Sequence, residues 1–235
     1  MLGVLGGMGP LATADFFRKL IDATVVERDE QHIPTLIHSV PQIPSRPAAI
    51  LRGGESPLPA LRAARDCLLA AGATMLAMPC NTAHYWYDDL VADVPAPFPH
   101  IADAVAAELP PQAQRVGIIA TAATLAARIY EGRLYGGIEW LSPEAELYEA
   151  AVQPAIDAVK RNASADGGRL FEPIVEALLE RGATCVVLAC TEVPVALDAV
   201  ASPLRAHCID STAALARACV RTWRISAAAG TIANL

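Results

Sequence analysis

Two cysteines occupy matching positions in the two halves of the chain, and they are its strongest candidates for chemistry. Residues 78–84 read Met-Pro-Cys-Asn-Thr-Ala-His and residues 188–194 read Leu-Ala-Cys-Thr-Glu-Val-Pro, which places the thiols at Cys80 and Cys190. Each thiol follows a short apolar run that is typical of a buried strand, and each run is preceded by Gly-Ala-Thr. Both thiols therefore lie where a strand ends and polar residues begin, which predicts two faces of one site.

Two opposed thiols suit the inversion of a stereocentre by proton exchange. One thiolate removes the proton from carbon while the opposite thiol delivers a proton to the other face. A cysteine thiol has an ordinary pKa of about 8.5, and helix N-termini beginning at Asn81 and Thr191 are expected to lower that pKa. The side chains of Asn81, Thr82 and Thr191 are expected to hold the substrate carboxylate and to stabilise the charge that develops on it.

The other cysteines are interpreted as packing residues, because free cysteine is often buried for packing alone. They are Cys67, Cys185, Cys208 and Cys219. None of the six cysteines forms a Cys-x-x-Cys pair, so the spacing predicts no structural metal site. The packing interpretation is weaker for Cys80 and Cys190, because polar residues follow each of them.

The composition favours an α/β protein and argues against nucleic-acid and membrane partners. Of the 235 residues, 54% are hydrophobic and only 5% are aromatic, which is typical of a helix-rich α/β protein. A net charge of −7, without a cluster of Lys and Arg, argues against a nucleic-acid partner. The N-terminus has no basic segment, and no uninterrupted apolar run reaches the roughly 18 residues of a membrane span. We therefore expect a cytoplasmic protein with no nucleic-acid or membrane partner.

The order of predicted strands and helices repeats between the halves. We predict an α/β fold with two pseudo-symmetric lobes, each with a mostly parallel four-stranded sheet flanked by helices. The first lobe is predicted to contain residues 1–110 plus 208–235, with its fourth strand at 99–101, and the second to contain residues 111–207. Ligands bind beyond the carboxyl ends of such strands, so the active site is expected between the lobes.

Two loops and the chain end complete the prediction. Residues 6–10 read Gly-Gly-Met-Gly-Pro, a strand-to-helix turn that brings backbone N–H groups close to an anionic ligand without being a P-loop. Arg46 lies in a stiff loop with three prolines, residues 41–47. Thr121 occupies the corresponding turn of the second half. Residues 226–235 are expected to be frayed.

Taken together, residues 6–10, 79–84 and 190–194 resemble the signature of the aspartate/glutamate racemase superfamily, specifically its aspartate racemase branch. The resemblance covers most of residues 1–223. It implies a cofactor-independent, two-base amino-acid racemase without pyridoxal phosphate, built from two pseudo-symmetric lobes and commonly dimeric. We therefore expect a homodimer that takes a small amino-acid substrate, with Cys80 and Cys190 as its catalytic acid and base and with no cofactor and no metal.

The resemblance also implies how the substrate is held. It points to Arg46 and Lys160 as cations for carboxylates, and a monocarboxylate would not need both. Aspartate is therefore the expected substrate, with glutamate as the other possibility. The residues expected to bind it are Met8, Arg46, Asn81, Thr82, Thr121, Lys160, Thr191 and Glu192.

Several of these residues have a plainer interpretation. Lys160 could be an ordinary surface lysine on a helix. Both His84 and Glu192 are candidates to tune a neighbouring thiol or to bind the substrate ammonium, with Glu192 the better candidate for the ammonium, but each could equally be a first-turn helix residue. Met8 and Tyr130 could line the pocket or simply pack.

Other functions stay open at this point. Glutamate racemases of the cell-wall type carry Asp-Ser-Gly after the first strand and Cys-Thr-His in the second motif, whereas this chain has Gly-Gly-Met and Cys-Thr-Glu, so that type is disfavoured. Ser45 and Ala120 also depart from residues usual in the family. The alternatives are a hydantoin racemase-like enzyme, an arylmalonate decarboxylase-like enzyme, or a catalytically silent binding protein. The decarboxylases use one active thiol, and hydantoins lack the carboxylate that Arg46 would hold.

Overall fold

The structure is a computed structural model and describes residues 1–134 and 137–228. Its strands form two parallel sheets. The first sheet has the order β2-β1-β3, with β1 at Leu2–Gly6, β2 at Thr35–Ser39 and β3 at Met75–Ala77. The second has the order β5-β4-β6-β7, with β4 at Arg115–Ala120, β5 at Glu139–Leu141, β6 at Cys185–Ala189 and β7 at Cys208–Asp210.

The helices of the first half flank the first sheet. They are α1 Pro10–Ala23, α2 Arg46–Arg52, α3 Leu58–Ala70, α4 Tyr87–Val91 and α5 Ile101–Ala106, with 3-10 turns at Asp29–Gln31 and Thr82–Trp86. Helix α1 begins with a proline, whose missing N–H would have no partner in a first helical turn.

The helices of the second half mostly flank the second sheet, and the last of them packs against helices of the first half. They are α6 Ala122–Ala126, α7 Ala145–Leu147, α8 Gln153–Lys160, α9 Ser164–Glu180, α10 Glu192–Ala199 and α11 Ser211–Ala228, with a π-helical turn at Tyr148–Val152 and a 3-10 turn at Pro203–His207. Helix α9 packs against α8 and α10, and α11 packs against α1 and α5. Within the described residues, no helix has both the length and the apolar character needed to cross a membrane.

The central strands explain where the two thiols lie. Every residue of β1, β3 and β6 is buried, as expected for parallel strands covered by helices on both faces. Strand β3 ends three residues before Cys80, and β6 ends directly before Cys190. Both thiols therefore lie beyond the carboxyl ends of buried parallel strands.

The predicted α/β class with two parallel sheets is confirmed, but the first sheet has three strands, not four. Residues 99–101, predicted as its fourth strand, form a loop and the start of α5. Pro99 has no N–H to donate to a strand partner. His100 instead caps α5, because its Nδ1 accepts a hydrogen bond from Ala102 N at 3.1 Å.

The predicted lobe boundary at residue 208 does not coincide with a sheet boundary. Strand β7 pairs with β6 in the second sheet, whereas α11, which follows at once, packs against α1 and α5 of the first half. The division into lobes therefore stays a prediction. Of the segment expected to be frayed, residues 226–228 belong to α11, and residues 229–235 lie outside the described residues.

Candidate active site

A cavity of about 750 Å³ opens between the two thiol motifs, and its lining includes all ten residues predicted for the site. The two thiols are Cys80 and Cys190. The other eight are Met8, Arg46, Asn81, Thr82, Thr121, Lys160, Thr191 and Glu192. The glycine-rich turn and the proline-rich loop also line it, at residues 7–12 and 41–47. The structure therefore brings these residues together, while their individual roles stay predictions.

Cys80 lies under a positive charge. Burial raises the pKa of its thiol, and the Arg46 guanidinium and the backbone N–H of Ala83 oppose that rise. The net shift of the pKa is upward, because burial outweighs the lowering by the Arg46 charge and by the backbone N–H at the start of the following turn. The segment after Cys80 is a 3-10 turn, Thr82–Trp86, rather than a long α-helix.

Arg46 is fixed by its own backbone surroundings. Its Nη1 donates to the carbonyl oxygens of Ile43 at 2.9 Å and Pro44 at 3.0 Å. Its Nε is buried without a hydrogen-bond partner among the described residues. Arg46 begins helix α2, which Ser45 caps, and so stands on a helix terminus and not within the loop as predicted. These two bonds fix the orientation of the guanidinium, and its buried Nε–H remains without an acceptor among the described residues.

Cys190 lies beside a negative charge. Its Sγ donates to Glu192 Oε2 at 3.1 Å, and the Thr191 hydroxyl donates to the same oxygen at 2.9 Å. Burial and then the Glu192 carboxylate raise the pKa of the Cys190 thiol well above its ordinary value, while Lys160 opposes them. Lys160 is the last residue of α8 and is exposed, which places it where the cavity opens to solvent. Cys190 is therefore a protonated thiol at neutral pH, because burial and the Glu192 carboxylate outweigh the backbone N–H of Glu192, which acts to lower the pKa.

The amide of Asn81 is bound by groups from the second half of the chain. Its Nδ2 donates to Ser211 Oγ at 3.1 Å, and its Oδ1 accepts from the Tyr130 hydroxyl. Ser211 Oγ donates in turn to Leu188 O at 2.8 Å. Tyr130 is not among the described residues that line the cavity. Sequence reasoning missed this arrangement, since nothing in the pattern links positions 49 and 130 residues apart.

Three threonine hydroxyls form a second contact between the halves. Thr82 Oγ1 lies 3.1 Å from Thr121 Oγ1 and 2.8 Å from Thr124 Oγ1. Thr121 also caps helix α6 by accepting from Thr124 N at 3.1 Å. Thr82 and Thr121 are thereby held at the cavity, as their predicted binding roles require.

His84 lies behind Cys80. Its Nε2 accepts from Ile101 N at 3.2 Å, so its Nδ1 carries the proton and donates to Cys80 O at 2.9 Å. Burial lowers the pKa of His84 to about 4, and the ring is neutral at pH 7. His84 therefore holds the backbone of the Cys80 segment. Across the described residues, no group of three His, Cys, Asp or Glu side chains is arranged to hold a metal ion.

Comparison with known proteins identifies the family. The Asp/Glu/Hydantoin racemase family matches residues 5–219. The broad specificity amino-acid racemase RacX of Bacillus subtilis (strain 168) is 29% identical over 237 residues, which span 95% of this chain and 98% of that protein.

Solved structures give the same result. The aspartate racemase of Picrophilus torridus superposes with a TM-score of 0.83 at 31% identity, covering 94% of this chain and 93% of that one. The glutamate racemase of Francisella tularensis subsp. tularensis SCHU S4, in complex with D-glutamate, shares the fold with a TM-score of 0.69 at 14% identity, covering 100% of this chain and 83% of that one. The chain is therefore a member of the Asp/Glu/Hydantoin racemase family, on its aspartate racemase branch, and is an isomerase of the racemase type.

Proposed function

We propose that this racemase inverts the α-carbon of a dicarboxylic amino acid, with aspartate as the first choice and glutamate as the second, without pyridoxal phosphate. Cys80 and Cys190 are the two bases. The observation that carries the proposal is that both thiols, each at the end of a buried parallel strand, line one cavity of about 750 Å³.

The cavity supplies partners for each charged group of such a substrate. The unpaired, buried Nε of Arg46 offers a charge-assisted hydrogen bond to one carboxylate. Lys160 at the cavity mouth supplies a cation for the other. The Glu192 carboxylate, already on the lining, is the acceptor for the substrate ammonium. Two cations and one anion match two carboxylates and one ammonium.

The proposed proton transfers also balance, because one proton leaves the α-carbon and one is returned to it. The thiolate of one cysteine takes the α-proton, and the electron pair left on carbon spreads into the α-carboxylate. The Thr82 hydroxyl stabilises that charge as a donor, whereas the Thr191 hydroxyl stays bonded to the Glu192 carboxylate. The thiol of the other cysteine gives its proton to the opposite face of the carbon, so the enantiomer leaves and the two sulfur atoms have exchanged protonation states.

The similar proteins differ in the range of substrates that their names give. The Picrophilus torridus relative is named as an aspartate racemase, while the Bacillus subtilis relative is named as a broad specificity racemase. A wider range of amino-acid substrates is therefore the second candidate. The apolar part of the lining, which includes Leu11, Val159 and Val195, would receive a larger side chain.

A racemisation screen tests the proposal. Each enantiomer of aspartate, glutamate, alanine and leucine is incubated with the protein in D₂O, without added cofactor, and the products are resolved by chiral chromatography. We expect racemisation of aspartate, with deuterium at Cα chiefly in the product enantiomer. Racemisation of the neutral amino acids at similar rates would favour the broad specificity candidate, and no turnover of any amino acid would defeat the proposal.

We further propose a homodimer and a cytoplasmic location, as the family resemblance and composition suggest. Light scattering on the purified protein measures the oligomeric state directly. A monomer at all concentrations would contradict the first of these two points.

A further inference from the structure

A buried chain of hydrogen bonds ties the Cys80 segment to the strand that leads to Cys190. Tyr130 donates to Asn81, Asn81 donates to Ser211, and Ser211 donates to the carbonyl oxygen of Leu188, two residues before Cys190. Tyr130, Asn81 and Ser211 are 1%, 3% and 0% exposed. We call these three side chains the amide bridge.

The direction of every bond in the amide bridge is determined. A carbonyl oxygen only accepts, so the Ser211 hydroxyl must donate to Leu188. Its oxygen is then free to accept from Asn81 Nδ2, which turns Asn81 Oδ1 towards Tyr130. The Tyr130 hydroxyl must therefore be the donor. The Asn81 side chain consequently has one orientation, although it directly follows a catalytic thiol.

We propose that Tyr130 is a positioning residue for racemisation: its hydroxyl holds the Asn81 amide, and through it the alignment of Cys80 with Cys190. This inference rests on the proposed two-thiol function. Proton transfer on opposite faces of one carbon tolerates little misalignment, and a displacement of about 1 Å can cost about a hundredfold in rate. A fixed link between the two thiol segments keeps the two sulfur atoms aligned on opposite faces of the carbon.

The hydroxyl of Tyr130 is separable from the packing of its ring. The ring packs against Trp140, with centroids 6.0 Å apart, and it belongs to the core formed around β4 and β6. Tyr130→Phe keeps this packing and removes only the donor to Asn81. The buried amide oxygen is then left unpaired, which favours other orientations of the side chain.

The first test measures kinetics and isotope distribution in Tyr130→Phe. We expect kcat to fall by about tenfold to a hundredfold in both directions, with KM within about threefold, because the contacts of Arg46 with a carboxylate do not involve Tyr130. In D₂O, a larger share of deuterium should appear in the recovered starting enantiomer. The first thiol still removes the α-proton and exchanges with solvent, but the opposite thiol delivers less often. A role in stability alone would change the melting temperature and leave this isotope ratio as in the wild type.

The matched control is Tyr148→Phe. Tyr148 lies in the same half of the chain, and its hydroxyl accepts from Ala122 N at 2.6 Å outside the amide bridge. We expect its kcat and isotope ratio to stay within about twofold of the wild type. Ser211→Ala removes the other end of the amide bridge and should reproduce the kinetic and isotope pattern of Tyr130→Phe. If Tyr130→Phe does not fold, Ser211→Ala tests whether the amide bridge aligns the two thiols.

A second readout does not depend on turnover. The alkylation rates of Cys80 and Cys190 by iodoacetamide, followed by peptide mass spectrometry, should change their ratio by several-fold in Tyr130→Phe and not in Tyr148→Phe. If the wild type racemises nothing, the proposed function fails, and this ratio alone decides the role of Tyr130. The inference is overturned if kcat, isotope ratio and alkylation ratio in Tyr130→Phe all match the wild type.

Discussion

At the scale of single residues, the two thiols of the cavity differ in the charge beside them. Cys80 has the Arg46 guanidinium as its main electrostatic neighbour, which favours the thiolate. Cys190 donates to the Glu192 carboxylate, which favours the thiol. The resting enzyme therefore has one cysteine better suited to accept a proton and the other already holding one. Under the proposed two-base mechanism, such a pair is prepared for one direction of inversion, and reaches the mirror-image state after turnover.

The first prediction concerns the thiols themselves. Cys80→Ser and Cys190→Ser should each lower kcat by about a hundredfold to ten thousandfold, the usual range for loss of a general acid or base. The expected cause is that a serine hydroxyl is far less acidic than a thiol. Chiral chromatography of aspartate measures the effect in each direction. Cys67→Ser is the control, since Cys67 is exposed on α3. Full activity in either Cys80→Ser or Cys190→Ser would refute the two-base assignment.

The second prediction concerns the charge beside Cys190. Glu192→Gln keeps an acceptor for the thiol but removes the carboxylate that raises its pKa. The Cys190 pKa should therefore fall, and the pH at which iodoacetamide alkylates Cys190 should move down. Arg46→Gln removes the cation that favours the Cys80 thiolate, so the alkylation profile of Cys80 should move up. Peptide mass spectrometry over a pH series follows both cysteines, and shifts of the opposite sign would contradict these electrostatics.

At the scale of elements, the ends of strands made the site predictable. A buried apolar run followed by polar residues determines where a parallel strand ends, and both thiols lie at such ends. Long-range side-chain contacts were beyond prediction, because the pairing of Asn81 with Tyr130 and Ser211 depends on how β6, β7 and α11 pack. The missing fourth strand of the first sheet has a local cause, since Pro99 cannot donate and His100 caps a helix.

The start of α11 shows how an element is held against the site. Asp210 Oδ1 accepts from Thr212 N at 2.9 Å and Ala213 N at 3.0 Å, while its Oδ2 pairs with the buried Lys19 at 2.7 Å and with Arg205 at 2.6 Å. Burial acts to raise the pKa of Asp210, but Lys19, Arg205 and the backbone donors outweigh it, and the pKa is lowered.

The third prediction follows from that lowered pKa. A carboxyl group with a lowered pKa in the folded state adds stability above its unfolded pKa of about 3.9, and this stability is lost as the pH falls through the folded value. Asp210→Asn should therefore reduce the free energy of unfolding by about 3 kcal/mol at pH 7, since it leaves Lys19 buried with one acid fewer. The difference from the wild type should shrink below about pH 4.

Urea unfolding at pH 7 and at pH 3 measures that difference. Asp22→Asn is the control, because Asp22 pairs with Arg18 on the exposed side of α1 at 61% side-chain exposure. It should cost less than about 1 kcal/mol. Equal losses in the two variants would contradict a special role for the cap of α11.

At the scale of the whole molecule, the cavity is shared by the two halves of the chain. Arg46 and Cys80 come from the first half, and Lys160, Cys190 and Glu192 come from the second. Under the proposed function, in which Arg46 and Lys160 each hold a carboxylate, a ligand with an anionic group at each end would contact both halves at once. Such a ligand stabilises the folded chain as a unit, because it binds only where both halves are in place.

The last prediction uses succinate, which has the two carboxylates of aspartate but no ammonium. At about a hundred times its Kd, a ligand adds about 2.7 kcal/mol to the free energy of unfolding. For a chain of 235 residues this should raise Tm by about 5–10 °C. Butyrate, with one carboxylate, should give a much smaller shift at the same concentration.

Arg46→Gln should remove most of the succinate effect, and Lys160→Gln should remove part of it, since Lys160 is exposed and its charge is screened by solvent. Differential scanning calorimetry measures all four cases, and equal shifts with succinate and butyrate would show that the cavity does not select dicarboxylates.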